Sequence, residues 1–248
     1  MSALTQTVVA KDDNHLRDLV QNAIQVHGYE CDLNHINVSN VTSMEGLLRN
    51  IPFNGNISAW DTSKVESMAE LFLNSTFNGD ISRWDVARVK NMTRMFRRSH
   101  FAGDISKWDT QCLENANAMF HGNHYFKSDI SEWNTSSLRT MFYMFASSKF
   151  NGNLSNWDTS NVRDMRSAFS DSIFNGDLSW WNTSSVVSMK QMFAYSEFNQ
   201  DISIWNVEKS PIFCKCLRFR ILQETFLNGA CNWIPILRTC STIANWKK

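Results

Sequence analysis

Two rows of carboxyl groups recur along the chain at a fixed interval. The first holds Asp80, Asp104, Asp129, Asp177 and Asp201, with Asn56 and Asn153 in the same slot. The second holds Asp61, Asp85, Asp109 and Asp158, with Asn134, Asn182 and Asn206 in place of the acid. Stacked carboxylates could hold calcium, which needs roughly six to eight oxygen ligands, or act as acid catalysts. Interchange of Asp with Asn argues against both, because the amide keeps the hydrogen-bond acceptor and gives up the charge. The glycine-rich nonapeptide of calcium-binding repeats is also missing. Each side chain is therefore expected to accept a backbone N–H of its own turn, a role that needs only the acceptor.

Other chemistry-bearing residues are sparse. His100, His121 and His124 are close in sequence, but zinc wants a tighter ligand set, so solvated loop histidines are expected. Arg83, Arg88, Lys90, Arg94, Arg97, Arg98 and Lys107 form a basic run that could meet nucleic acid. The chain balances 24 Lys and Arg against 24 Asp and Glu, and the run does not continue along it. An acidic protein partner fits better than nucleic acid. No Ser/His/Asp set, zinc motif or phosphate loop is found. The expectation is no catalytic residue, no cofactor, no metal and no enzyme.

The elements that carry these residues follow from a repeat. Trp60, Trp84, Trp108, Trp133, Trp157, Trp181 and Trp205 are spaced by 24, 24, 25, 24, 24 and 24 residues, and a Phe stands seven residues before each, from Phe53 to Phe198. A period in this range marks a solenoid. The unit reads approximately F-N-G-D-I-S-x-W-D-T-S-x-V-x-x-M-x-x-M-F. Asn-Gly suggests a tight turn with positive φ. The I-S-x-W stretch suggests a short strand. Val65, Met68, Leu71 and Phe72, then Val89, Met92, Met95 and Phe96, have helical spacing. The predicted fold is an α/β repeat solenoid of about eight 24-residue strand–helix units, each burying its apolar side chains only against its neighbours. An earlier unit begins near His35, with Ile36 in the Trp slot. A one-residue insertion near 123–125 falls in a loop between units, where it costs least. The tryptophans could form a stacking ladder for sugars or bases, but invariant large aromatics at fixed slots are expected in the core.

One slot varies while its neighbours repeat. The residue before each Trp is Ala59, Arg83, Lys107, Glu132, Asn156, Trp180 or Ile204. Freed from scaffold duty, these side chains are expected on a strand-lined surface facing solvent. Trp and Arg are favoured interface anchors. Arg83, Lys107, Glu132, Asn156, Trp180 and Ile204 are therefore the candidate partner-binding residues.

Residues 1–30 are expected to form an N-terminal cap, with an amphipathic helix over 11–28 presenting Leu16, Leu19, Val20, Ala23, Ile24 and Val26 and ending at Gly28. Residues 31–209 form the repeat array. The pattern breaks at Ser210–Pro211, where proline enters a predicted helix. Four of the six cysteines lie beyond it. A shifted reading frame over 233–246 can restore the repeat pattern, so 210–248 is expected to be a degenerate tail, a product of frameshift. The array would then end uncapped and could associate with another copy. Cys31 and Cys112 alone make no disulfide framework. No apolar run reaches membrane-spanning length. The start, MSALTQTVVAKDD, lacks the basic and apolar regions of a signal peptide, which makes the cytoplasm the default compartment.

The units FNGDISRWDVARVKNMTRMF, residues 77–96, and FNGDLSWWNTSSVVSMKQMF, residues 174–193, closely resemble the BspA-like leucine-rich-repeat family, also found in Mycoplasma surface lipoproteins. The resemblance covers about residues 31–209. It implies a right-handed, leucine-rich-repeat-like stack and a bacterial protein that binds other proteins, host proteins included, from the cell surface or after secretion. It carries no catalytic motif. The expected function is a non-enzymatic protein–protein interaction scaffold. The alternatives are an adhesin-like host-protein binder and a decaying or phase-variable gene product.

Overall fold

The structure, a computed structural model, describes residues 7–207 and residue 209. The expectations for the 210–248 tail and for the C-terminal end of the array lie outside those residues. Among the described residues the regular elements are β1 (Val8–Val9), α1 (Asp13–His27) and β2 (Ile36–Asn37). The rest is a succession of turns, one coil per repeat, and each coil lies against the next.

Backbone hydrogen bonds hold neighbouring coils in register. Ser43, Ser67, Asn91, Asn115, Thr140, Asp164 and Ser188 form one line of isolated parallel bridges. Beyond the bridge, alternate N–H groups continue the ladder. Met68, Glu70, Phe72 and Asn74 donate to the carbonyls of Asn91, Thr93, Met95 and Arg97 at 2.8–3.0 Å. The intervening N–H groups of Leu71, Leu73 and Ser75 close local turns onto Met68, Glu70 and Phe72 at 3.1–3.2 Å.

The predicted strand–helix unit needs correcting on both counts. The stretch expected to be a helix is this turn ladder, with Glu70 and Asn74 at φ 56° and 53°. The same two slots are left-handed in later units, at Arg94 and Arg98, at Tyr143 and Ser147, and at Gln191 and Tyr195. The M-x-x-M-F spacing turns the same side chains inward in either geometry. A helix of so few residues is marginal and keeps its hydrogen bonds to itself, whereas the turn ladder sends half of them to the neighbour. The stretch expected to be a strand is also a turn, closed in the second unit by Trp84 N–H to Ile81 C=O at 3.1 Å.

The core is built of columns. Phe72, Phe96, Phe120, Phe145, Phe169 and Phe193 stack at 5.5–5.7 Å between ring centroids. Beside them Trp60 stacks on Trp84, and Trp108, Trp133, Trp157, Trp181 and Trp205 stack in turn, at 6.2–6.4 Å. Each indole Nε1–H donates to a carbonyl of the preceding coil, from Trp60 to Leu33 at 3.0 Å through Trp205 to Leu178 at 3.0 Å. The indole therefore satisfies its one polar atom while burying its rings, and no stacking face is offered to a ligand. The repeated glycine also has a packing reason. Gly79, Gly103 and Gly152 do not have positive φ, contrary to the turn expectation. A Cβ there would come within 2.7–2.9 Å of the ring of the Phe two residues earlier, which folds over the backbone.

Segment α1 covers the open edge of the first coil. Asp12 caps it by accepting the N–H of His15 at 2.8 Å, and Gly28 ends it at φ 83°. Leu16 and Val20 are buried, while Val26, 72% exposed, lies off the core face. In later coils the N–H groups of Glu66 and Ser67 find the carbonyl of Thr42 one coil back. In the first coil the equivalent N–H groups of Thr42 and Ser43 donate to the Asp13 carboxylate, at 2.8 and 3.1 Å. Arg17 donates to the carbonyls of Glu45 and Gly46. Two charged side chains thus take the place of a missing neighbour's backbone. β1 adds to the same edge by pairing in parallel with β2.

Asp13→Ala leaves two backbone donors at the edge without their acceptor and should lower stability by about 1–3 kcal/mol. Asp18→Ala on the exposed side of α1 should change it by less than about 0.5 kcal/mol. Urea unfolding followed by tryptophan fluorescence measures both.

Candidate functional site

The variable slot lies on a turn rather than a strand, because the Trp N–H of each unit donates to the carbonyl of the Ile or Leu three residues earlier and closes a turn around it. The exposure expected of it holds on the turn. Arg83, Lys107, Glu132, Asn156, Trp180 and Ile204 are all exposed, one per coil, in a single row. Trp180 and Ile204 end the row 79% and 69% exposed. None of the six side chains makes a hydrogen bond or ion pair with the described residues. The buried Trp that follows each one holds its turn against the preceding coil, so side chains of unlike chemistry share one backbone geometry.

The carboxylate rows are occupied within the fold. Asp80, Asp104, Asp129, Asp177 and Asp201 each accept the backbone N–H two residues on, at 2.8–3.0 Å. Asn56 and Asn153 do the same. The second row repeats the pattern at Asp61, Asp85, Asp109, Asn134, Asp158 and Asn182. Backbone hydrogen bonds, from Ser82 to Asp80 and Ser106 to Asp104 among them, hold the first-row carboxyls below their ordinary range. Among the described residues no cluster of His, Cys, Asp and Glu has metal-ligand geometry.

The members of the basic run have different surroundings. Arg83 and Lys107 belong to the exposed row. Lys90 pairs with Glu66 at 2.8 Å, and Arg94 pairs with Glu70, which also holds Arg49. Arg97 and Arg98 have no carboxylate partner among the described residues, and the Arg97 Nε is buried without a hydrogen-bond acceptor.

A second site forms beside these two arginines, from the three histidines expected to be solvated loop residues. Arg98, His100, His121, Gly122, His124 and Tyr125 line an open cavity of ≈ 420 Å³. Its origin is the one 25-residue unit. The extra residue falls in a loop pinned by buried Asn123, whose Oδ1 accepts the N–H groups of Tyr125 and Phe126 at 2.8 and 3.0 Å. Its amide donates to the carbonyl of Phe101 at 3.0 Å. The loop brings Tyr125 to 4.9 Å from the His100 ring. His121 stacks on Tyr143 at 5.4 Å. Burial, and then the charges of Arg97, Arg98 and Arg94, lower its pKa to about 4. The sequence signal for the cavity was the insertion itself, read only as a tolerated loop.

These shifts fix the direction of acid sensitivity. His121 titrates lower folded than unfolded, so its contribution is present above its ordinary pKa of about 6.5 and is lost as pH falls toward about 4. The lowered aspartates contribute above the ordinary carboxylate range and lose that contribution below it. Unfolding free energy should therefore decline in two stages. His121→Gln should remove the stage above pH ~4 and leave the lower one. Denaturant titrations across that range separate the two.

A family model described as "Mycoplasma protein of unknown function, DUF285" matches residues 15–127, 75–172 and 120–218. No curated protein and no solved structure matches the chain. Among the described residues no helix is long and apolar enough to cross a membrane. The three overlapping matches follow the stacked coils over most of the length, and the chain belongs to the Mycoplasma repeat family of unknown function DUF285.

Proposed function

We propose that the chain is a non-enzymatic protein–protein interaction scaffold, a right-handed solenoid of the kind implied by its resemblance to BspA-like leucine-rich repeats. Its recognition surface is the row Arg83, Lys107, Glu132, Asn156, Trp180 and Ile204. The observation that carries this reading is the contrast between that slot and the rest of the unit. The apolar slots are buried and the Asx slots cap turns. The six varied side chains remain exposed and unpaired.

The physics suits a binding surface. Six side chains at the spacing of hydrogen-bonded coils, roughly 5 Å apart, span a length comparable with one side of a standard interface. Their backbone is already ordered, so binding adds no cost of backbone ordering to the loss of side-chain and rigid-body freedom. Trp180 and Ile204 supply apolar area, while Arg83, Lys107 and Glu132 supply charge that selects among partners.

Substituting Arg83, Lys107, Glu132 and Trp180 together by Ala should leave the unfolding midpoint within about 3 °C, because none of the four packs in the core. Partner affinity should fall at least about 30-fold, the effect of losing one hot-spot aromatic. Quantitative affinity capture from the native host, with the full chain and the folded quadruple variant as baits, tests this. Equal recovery of the same partner by both baits would rule out the row.

A further inference from the structure

The cavity beside the 25-residue unit shares no residue with the exposed row, and its chemistry is different. Arg98 is an exposed cation without a carboxylate partner among the described residues. His100, His121 and His124 add imidazole donors, and no carboxylate lines the cavity. Other cations of the same run have their counter-ions: Glu70 holds Arg94, and Glu66 holds Lys90. Arg97, next along the chain and equally without a carboxylate, adds its charge to the same corner. A concentration of cations without compensating anions opposes folding unless something offsets it.

The corner is built, not a chance gathering of surface groups. Gly122 stands in a left-handed slot at φ 67°, and a Cβ there would come within 3.0 Å of Arg98 Cγ, so the glycine lets the arginine lie across the next coil. The inserted loop is fixed by four hydrogen bonds of the buried Asn123 side chain. In the column that runs from Phe53 to Phe198, the step after the insertion, Phe126 to Phe150, has an interplanar angle of 22°, against 3–6° at Phe53–Phe77, Phe77–Phe101, Phe150–Phe174 and Phe174–Phe198. The insertion, the pinned loop and this ring rotation fall at the level where these polar groups converge.

We propose that this cavity is a binding site for an oxyanion, the phosphate or sulfate group of a small-molecule ligand. The guanidinium of Arg98 supplies a planar pair of donors suited to such oxygens. The imidazoles of His100 and His124 supply further N–H donors. Tyr125 gives a wall against which the rest of the ligand can lie, and the volume of ≈ 420 Å³ suits a small molecule rather than a bare ion.

The test uses the full chain, titrated with inorganic phosphate and separately with inorganic sulfate, at constant ionic strength balanced by chloride. Binding should be saturable in at least one titration, and which one identifies the group. Arg98→Gln and His124→Gln should each weaken it about tenfold or more, while Arg88→Gln, an exposed cation outside the cavity, should not. Imidazole NMR signals of the unaltered chain give a reading independent of any variant. Those of His100, His121 and His124 should move with the anion, and those of His15, His27 and His35 should stay. Absence of saturation with both anions, equal weakening by Arg88→Gln, or uniform movement of all six histidines would overturn the proposal.

Discussion

Everything in this molecule depends on the hydrogen-bonded ladder between coils. Each unit leaves four alternate N–H groups pointing along the stack, as Met68, Glu70, Phe72 and Asn74 do, and only the carbonyls of the next unit meet them. An isolated coil would leave these donors unmet and bury little of its Phe and Trp, so neither coil nor column exists alone. The ladder also explains the left-handed residues. Glu70, Arg94, Tyr143 and Gln191 hold a backbone conformation that usually favours glycine. They hold it because that geometry turns the next N–H groups alternately inward and along the stack.

Side chains extend the same coupling. Each Trp reaches a carbonyl of the preceding coil, and Thr62, Thr110, Thr135, Thr159 and Thr183 reach one of the following coil at 2.8–3.1 Å. Asn54, Asn78, Asn151 and Asn175 each accept a backbone N–H of the following coil. Surface ion pairs such as Lys90 with Glu66 also join neighbours, but exposed pairs of this kind contribute only about 0.2–1 kcal/mol. Backbone and buried polar contacts carry the coupling. That leaves the slot before each Trp free to vary, and an array can then change its surface without changing its frame.

Much of this was legible in the sequence for definite physical reasons. A Trp or Phe recurring at one interval marks a buried column, and Asp exchanged for Asn marks an acceptor rather than a charge. The helix α1 was legible from its apolar spacing, and Gly28 marked its end. The turn ladder was not legible, because M-x-x-M-F places the same residues inward in a helix and in paired turns. Positive φ at Arg94 or Tyr195 leaves no trace in residue type. The repeated glycine was legible as a constraint but not as the right one, since its cause is a ring folded across it. At the candidate sites, alternation of Arg, Lys, Glu, Asn, Trp and Ile exposed the varied row. The cavity stayed hidden because Arg98 and His124 lie one repeat apart in sequence and meet only when coils stack.

The most direct measurement is scalar coupling across the hydrogen bonds themselves, by NMR on the isotope-labelled chain. The amide nitrogen of Phe72 should couple to the carbonyl carbon of Met95 in the next coil, and that of Asn74 to Arg97. Coupling from Phe72 to Met68, four residues back, would mark an α-helix in each unit. That result would contradict the turn ladder on which the stack is built.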